Sequence, residues 1–411
     1  MKKYLESISD KISITTNNSD INNIIYDSAV NIVKQFIIKK QCIVYGGNAI
    51  DYALKLKGSY IYAESKRPDY DFYSYDNVNL AYELANILID NKFNNVKAVR
   101  GSHVTTMRVF IDDTLSVADI SFVPKTIYDK LPFLIYDNVR FINPPFQRLD
   151  MHLSLMLPFN GQPRENILFR WEKDLKRFNL LDSFYPIDSY IKKVDYKLVK
   201  KTASVPADCV LGGFIAYAVM YKLLKKKITK DIIEVKYDIE DGEISCYMPE
   251  KSKLYVCALE FEKSKIYNNP FLKVRNITHN FNNLQIEDVN NTGLTYLNIN
   301  GLKIASHQHT LMYFLLEYFI TDDIVYLCFY KSLISMINLS IDVPEFNLSI
   351  TVYGDYISDI YIKQKKDYMD KLDKKVETTN IPKQYYSNKK RPDNYDYDYI
   401  EFNNDYKIIY N

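Results

Sequence analysis

Asp69 and Asp71 stand one residue apart in "RPDYDFYS", and Asp119 stands alone in "LSVADISFVP". Each lies among apolar or aromatic neighbours, where an ionised carboxylate is costly to place. In an extended segment residues i and i+2 project from one face, so Asp69 and Asp71 converge while Tyr70 and Phe72 turn the other way. Three carboxylates on adjacent strands are able to hold a pair of divalent cations, and hard oxygen ligands select Mg²⁺ or Mn²⁺. Such a pair lowers the barrier for in-line attack of a hydroxyl on the α-phosphorus of a nucleoside triphosphate, by activating the attacking oxygen and stabilising the departing pyrophosphate. Upstream, the apolar run "CIVY" stops at Gly46-Gly47-Asn48 before "AIDYALKLK" resumes with helical spacing. A strand-to-helix junction of that kind offers backbone N–H groups and a positive dipole to phosphate, and glycine allows close approach.

The elements that must position these groups follow from periodicity. Ile25, Ala29, Ile32, Val33 and Phe36 predict an amphipathic helix within residues 21–40, followed by a short strand from Cys42 to Tyr45. "LAYELANILIDNKF" predicts a helix, and "VTTMRVFID" with "LSVADISFVP" predicts two strands joined by a turn at Asp112-Asp113. After Pro144-Pro145 a polar, proline-punctuated connection is expected, then a helix in "RENILFRWEKDLKRFNLLDSFYP" with Trp171, Leu175 and Phe178 on one face and Arg170, Lys173 and Arg177 on another.

A lone pair of aspartates is common in surface turns, and a lone pair of glycines says less still. The ordered set is more specific: strand, Gly-Gly, helix, then two aspartates in an aromatic strand, then one aspartate inside an apolar strand. In this the chain resembles the nucleotidyltransferase superfamily built on the DNA polymerase β-like core, and within it the poly(A) polymerase catalytic subunits of large nucleocytoplasmic DNA viruses. "YGGNAIDYAL", "RPDYDFYS" and "RWEKDLKRFNLL" carry the likeness, which covers roughly residues 43–186. It implies an α/β fold with a mixed sheet, and two-metal transfer of AMP from ATP to the 3′ hydroxyl of mRNA. Asp69, Asp71 and Asp119 would ligate Mg²⁺ or Mn²⁺, and Gly46 and Gly47 would hold the outer phosphates. Asn48 stands where many members carry a phosphate-contacting serine, and its amide is also a donor. Pairing with a second copy or with a processivity or cap-methylating subunit, and residence in the host cytoplasm or virion, come from the same likeness. Two other functions stay open on the residues alone: another terminal nucleotidyltransferase, with tRNA, protein or small-molecule acceptor, and an inactive RNA-binding scaffold.

Length and composition set the frame. A chain of 411 residues, 47% apolar, suggests two domains. Lys plus Arg number 53 against 51 Asp plus Glu, so a polyanion must be met by local patches rather than bulk charge. Arg170, Lys173 and Arg177 offer one such patch toward triphosphate or RNA, or else a solvated face. Lys192, Lys193, Lys197, Lys200 and Lys201, with Lys225, Lys226 and Lys227, are the best candidates for an RNA phosphate track, though plain surface explains them as well. The five cysteines are scattered, with no CxxC and no histidine at metal-ligand spacing, which argues against a zinc site and a disulfide framework. His307 and His309 form an HxH with no acidic residue close in sequence; His103 and His152 are expected to be structural. "MKKYLESISDKISITTNNSD" lacks an apolar leader core and no apolar membrane-length run follows, so a soluble intracellular protein with no membrane partner is expected.

The expected organisation is an N-terminal helical segment (1–40), a catalytic domain (41–186), a second α/β domain (187–372) and a Tyr/Asn/Asp-rich tail (373–411). "CVLGGFIAYAVMYKLL" echoes "CIVYGGNAIDYALKL" with no second pair of aspartates after it. Either the second domain is a degenerate copy of the first, or the glycines only let two helices approach.

Overall fold

A computed structural model describes residues 24–63, 67–100, 106–112, 115–123, 125–156, 164–191, 195–225, 228, 232–258, 278–280, 282–288, 294–339 and 352–353. Among these the chain divides into two compact units, one within Thr15–Gln147 and the other within Arg148–Ile266 and Pro270–Ser358. The change of unit falls inside a helix, ahead of the Pro186 boundary suggested by composition. The tail and the first 23 residues lie outside the described residues. No described helix is long and apolar enough to cross a membrane.

The first unit opens with α1 (Ile24–Lys40), whose Ala29, Val30, Val33, Phe36 and Ile37 are buried. Then follow β1 (Ile43–Tyr45), α2 (Gly46–Lys55), β2 (Tyr70–Ser74), α3 (Asn77–Asp90), β3 (Lys97–Arg100), β4 (Thr106–Ile111), β5 (Leu115–Phe122), the short α4 (Lys125–Tyr128), β6 (Phe133–Tyr136), β7 (Val139–Ile142) and α5 (Pro144–Met156). The strands form one mixed sheet in the order β3-β4-β5-β2-β1-β7-β6. Val44, Phe72, Ala118, Ile120 and Phe141 are wholly buried at its centre, each large side chain contributing roughly 1.5–3 kcal/mol by burial. The segment after Pro144-Pro145 is thus helical, not the expected connection: proline's missing N–H costs nothing in the first turn, where that donor has no intrahelical partner.

The second unit holds α6 (Arg164–Phe184), β8 (Leu198–Ser204), β9 (Val210–Gly212), α7 (Gly213–Leu224), β10 (Tyr237–Glu240), β11 (Glu243–Pro249), β12 (Leu254–Ala258), β13 (Thr278–Asn280), β14 (Leu284–Asp288), β15 (Leu294–Ile299), β16 (Leu302–Ala305), α8 (His307–Thr321), α9 (Val325–Leu339) and β17 (Val352–Tyr353). Two sheets form, β10-β11-β8 and β13-β14-β12-β9-β16-β15-β17. Residues 307–317 of α8 are buried without a break, which marks a central helix packed on all sides.

Among the described residues, six strands of the larger sheet repeat six of the first unit's, leaving only the edge strands β3 and β17 without a counterpart. β4-β5-β2-β1-β7-β6 and β13-β14-β12-β9-β16-β15 share one order. Their pairing senses agree at every step: antiparallel for β4/β5 and β13/β14, parallel for β5/β2 and β14/β12, antiparallel for β2/β1 and β12/β9, parallel for β1/β7 and β9/β16, antiparallel for β7/β6 and β16/β15. Both central strands enter a helix through a glycine at positive φ, Gly46 at +68° and Gly213 at +54°. The copy reading is therefore the one the topology supports. The register equates Cys42 with Cys209 and Gly46 with Gly213, so the two glycine pairs are offset by one position. After β7 and β16 the caps also correspond: Asn143 Oδ1 accepts from Phe146 N–H, and Ser306 Oγ from His309 N–H.

In the second unit His152 is fully buried, with Nδ1 2.7 Å from Gln308 Oε1 and Nε2 2.8 Å from the Tyr330 hydroxyl. Burial lowers its pKa to about 3. The unfolded chain takes up a proton near pH 6.5 that the folded chain refuses. Stability contributed by His152 is thus present above that pH and lost as pH falls from about 6.5 toward 3, at most about 1.4 kcal/mol per pH unit. Urea unfolding of wild type between pH 7 and pH 4 should show a falling midpoint, and His152→Phe should flatten the slope by about one proton; an unchanged slope would contradict this account.

Candidate active site

Asp71 and Asp119 are register partners on the parallel strands β2 and β5, and Asp69 enters the same strand end just before β2. Across β1, Asp71 pairs with Tyr45, the last residue before the glycine turn. A Cβ at position 46 would fall 2.7 Å from Asp71 Oδ2, so this turn packs against the carboxylate and any other residue would have to push it aside. The positive φ there also favours glycine. Asn48, buried, donates from Nδ2 to the Asp69 carbonyl at 2.6 Å, tying the helix start to the strand start. Asp51 is 2% exposed; it accepts from the N–H groups of Ile61 and Tyr62 and pairs with Lys55, which fixes the loop leading into β2. Beneath the site the Tyr45 and Tyr73 rings stack at 4.2 Å, and the Tyr45 and Thr106 hydroxyls both meet Ser121 Oγ at 2.8 Å.

Arg108, opposite Asp119 in the β4/β5 ladder, grips its carboxylate with Nε and Nη2. Burial, then the negative charge of Asp119, push the Asp69 carboxyl above the usual carboxylate range, and Arg108 opposes the rise. The Tyr26 phenol on α1 is pushed up by burial and then by Asp69 and other nearby acidic groups. Arg108 brings one positive charge to three carboxylates that all act on it, a hard-oxygen donor set short of cation. Asp69, Asp71 and Asp119 therefore fit a site for hard divalent ions.

Two expected phosphate contacts are engaged within the protein. Gly46 N–H donates to Gln147 Oε1 at 3.1 Å, and the Asn48 amide serves Asp69, because donors at a helix start that is partly shut from water must find acceptors. Gly47 sits beside them in the first turn of α2. Arg170, Lys173 and Arg177 fall on α6 in the other unit; Lys173 is exposed, Arg177 is half-buried, and the Arg170 side chain lies outside the described residues. Of the lysine clusters, Lys197, Lys200 and Lys225 are exposed, while Lys192, Lys193, Lys226 and Lys227 lie outside the described residues. Lys201 is spent on structure, its Nζ donating to the carbonyls of Glu250 and Ser252. Arg108, Asp51 and Gln147 were not legible as site residues; alternation in "TMRVFI" was the only signal for Arg108, and it does not name the partner.

Two substitutions probe this geometry. Gly46→Ala combines a disfavoured φ with a clash on Asp71, and should lower stability by about 1–3 kcal/mol and weaken Mn²⁺ binding. Arg108→Met removes the counter-charge, so thermal unfolding should show a lower Tm without divalent ions and a larger Mn²⁺-induced rise than wild type. An equal rise would mean that Arg108 does not balance the carboxylates.

Residues 31–161 match the family model for the poly(A) polymerase catalytic subunit. A protein of African swine fever virus (isolate Tick/Malawi/Lil 20-1/1983), assigned by name as such a subunit, is 42% identical over 244 residues, 59% of this chain and 51% of the relative. A likewise assigned protein of Acanthamoeba polyphaga mimivirus is 29% identical over 168 residues, 40% of this chain and 28% of the relative. The chain thus spans about half the length or less of the curated relatives it matches. The crystal structure of the Megavirus polyadenylate synthase shares the fold, with a TM-score of 0.63 at 17% identity over 93% of this chain and 87% of that one. The resemblance read from the glycines and aspartates is borne out: over residues 31–161 the chain matches the poly(A) polymerase catalytic subunit family, on the mixed α/β fold of a viral polyadenylate synthase.

Proposed function

We propose that this chain transfers AMP from ATP to the 3′ hydroxyl of RNA, without a template, as a viral poly(A) polymerase. The observation that carries the reading is the in-register pair Asp71 and Asp119 with Asp69 beside it, packed against the glycine turn that opens α2. The RNA 3′ hydroxyl attacks the α-phosphorus and gives up its proton to solvent, a new phosphodiester forms, the bond from the α-phosphorus to the bridging oxygen breaks, and pyrophosphate leaves carrying that bond's electron pair. Two divalent ions, Mg²⁺ or Mn²⁺ held by Asp69, Asp71 and Asp119, would supply activation of the hydroxyl and neutralisation of the pyrophosphate.

The chain's own residues prepare that arrangement. Arg108 fixes the plane of the Asp119 carboxylate through two hydrogen bonds, and Asn48 fixes the backbone at Asp69. Gly47 and the positive end of α2 meet the outer phosphates. Exposed Lys197, Lys200 and Lys225 are available to an RNA backbone, and adenylate preference, an mRNA acceptor and pairing of two copies belong to the same reading.

The test is extension of a 5′-labelled short RNA with each nucleoside triphosphate separately in Mg²⁺ or Mn²⁺. Wild type should give a ladder with ATP, and Asp69→Ala and Asp71→Ala should each lose on the order of 10³-fold or more in rate. Equal use of CTP or UTP would identify a different terminal transferase, and RNA binding without extension would identify a scaffold.

A further inference from the structure

The second unit has no carboxylates at the register positions of Asp71 and Asp119, but a short way along the same strands it carries another set of ligand-type side chains. The ladder places Tyr255 at the position of Asp71 and Gln285 at that of Asp119. Two residues along each strand, on the same face, lie Cys257 and Glu287, which are register partners. His309 joins them from the first turn of α8, held there by the Ser306 cap. One ligand atom from each of Cys257, Glu287 and His309 lies within 4.8 Å of the others, and all three residues are buried. The corresponding positions in the first unit are Tyr73, Ser121 and Phe146, which the register and the helix caps fix independently. There they serve ring packing and a hydroxyl network. Three separate elements of the copy thus hold a thiol, a carboxyl and an imidazole at positions where the parent arrangement holds no ligand set.

We propose that Cys257, Glu287 and His309 form a structural site for one divalent transition-metal ion, best matched by zinc. Thiolate and imidazole donors select a borderline-soft ion over Mg²⁺, in contrast to the all-oxygen set at Asp69, Asp71 and Asp119. Charge also balances: one thiolate and one carboxylate neutralise a divalent ion, so the buried assembly carries no net charge. Cys257 Sγ stands 3.8 Å from His309 Nε2, against roughly 3.3–3.8 Å between donors on a tetrahedral zinc. The Tyr255 hydroxyl borders the same space, 3.2 Å from His309 Nε2 and 3.6 Å from Cys257 Sγ. Burial holds His309 neutral, with a pKa of about 3, which is the form that ligates. Burial also raises the Cys257 thiol, so metal uptake releases its proton. The site clamps β12, β14 and α8, and the three side chains leave a fourth tetrahedral position that the bordering Tyr255 hydroxyl would close. HxH spacing alone did not reveal it, because Glu287 and Cys257 approach His309 only through the fold.

The test uses the full chain produced with zinc and, separately, with cobalt. Native mass measurement of the zinc form should show one tightly held ion, absent from Cys257→Ser. The cobalt form should show a thiolate-to-metal charge-transfer absorption that Cys257→Ser abolishes and Asp71→Ala leaves intact, which separates this site from the carboxylates. If Cys257→Ser does not fold, Glu287→Gln, with its far-ultraviolet circular dichroism checked against wild type, should bind cobalt at least tenfold more weakly. A wild-type chain with no tightly held zinc and no thiolate band, or a band unchanged in Cys257→Ser, would overturn the proposal and leave a hydrogen-bonded Cys-Tyr-His cluster.

Discussion

Three carboxylates brought to the end of two parallel strands repel one another, and the first unit is arranged around tolerating that repulsion. Asp69 shows the strain most directly, since burial and Asp119 both disfavour its ionised form. Arg108 supplies a fixed counter-charge from the neighbouring strand. The glycine turn lets the main chain approach the Asp71 carboxylate more closely than a side chain at 46 would allow without moving it. Asn48, Asp51 and Gln147 then lock the turn, the loop and the helix start to one another. A fold without need of cations would gain by placing apolar groups at these positions.

The second unit shows the same scaffold without the three carboxylates, with Tyr255 and Gln285 at the register positions of Asp71 and Asp119. Its strand order and pairing senses persist, and so does the positive-φ glycine after the central strand. The space against that glycine is now filled by aromatic rings: a Cβ at Gly213 would fall 2.9 Å from Tyr313 Cε1, and one at Gly212 would fall 2.5 Å from Tyr255 Cδ1. Gly213 serves packing where its counterpart Gly46 serves a carboxylate, and Gly212 stands where the first unit has Tyr45. Around Phe214 the rings of Phe314 and Phe329 close in at 5.2 and 4.8 Å, building an aromatic core.

Much of this was legible in the sequence because the costly residues announce themselves. Carboxylates in apolar strands and a glycine pair between a strand and a helix are hard to explain without a ligand, and their order pointed to the family and fold. What stayed hidden depended on register. Arg108 meets Asp119 across a hairpin whose pairing shifts at Val109 and Phe110, so spacing could not have matched them. Gln147 reaches Gly46 from a helix far along the chain, and that helix was itself obscured by the two prolines in its first turn. The internal repeat was visible as an echo, but only strand pairing shows that Gly46 corresponds to Gly213.

The central claim, that Asp69, Asp71 and Asp119 gather two catalytic cations against a triphosphate, is tested most directly by anomalous diffraction from crystals grown with Mn²⁺ and a non-hydrolysable ATP analogue. The account predicts two manganese peaks bounded by these three carboxylates, with the triphosphate at the N-terminus of α2 and no manganese between Tyr255 and Gln285. Nucleotide bound elsewhere, or no manganese at Asp71 and Asp119, would contradict it.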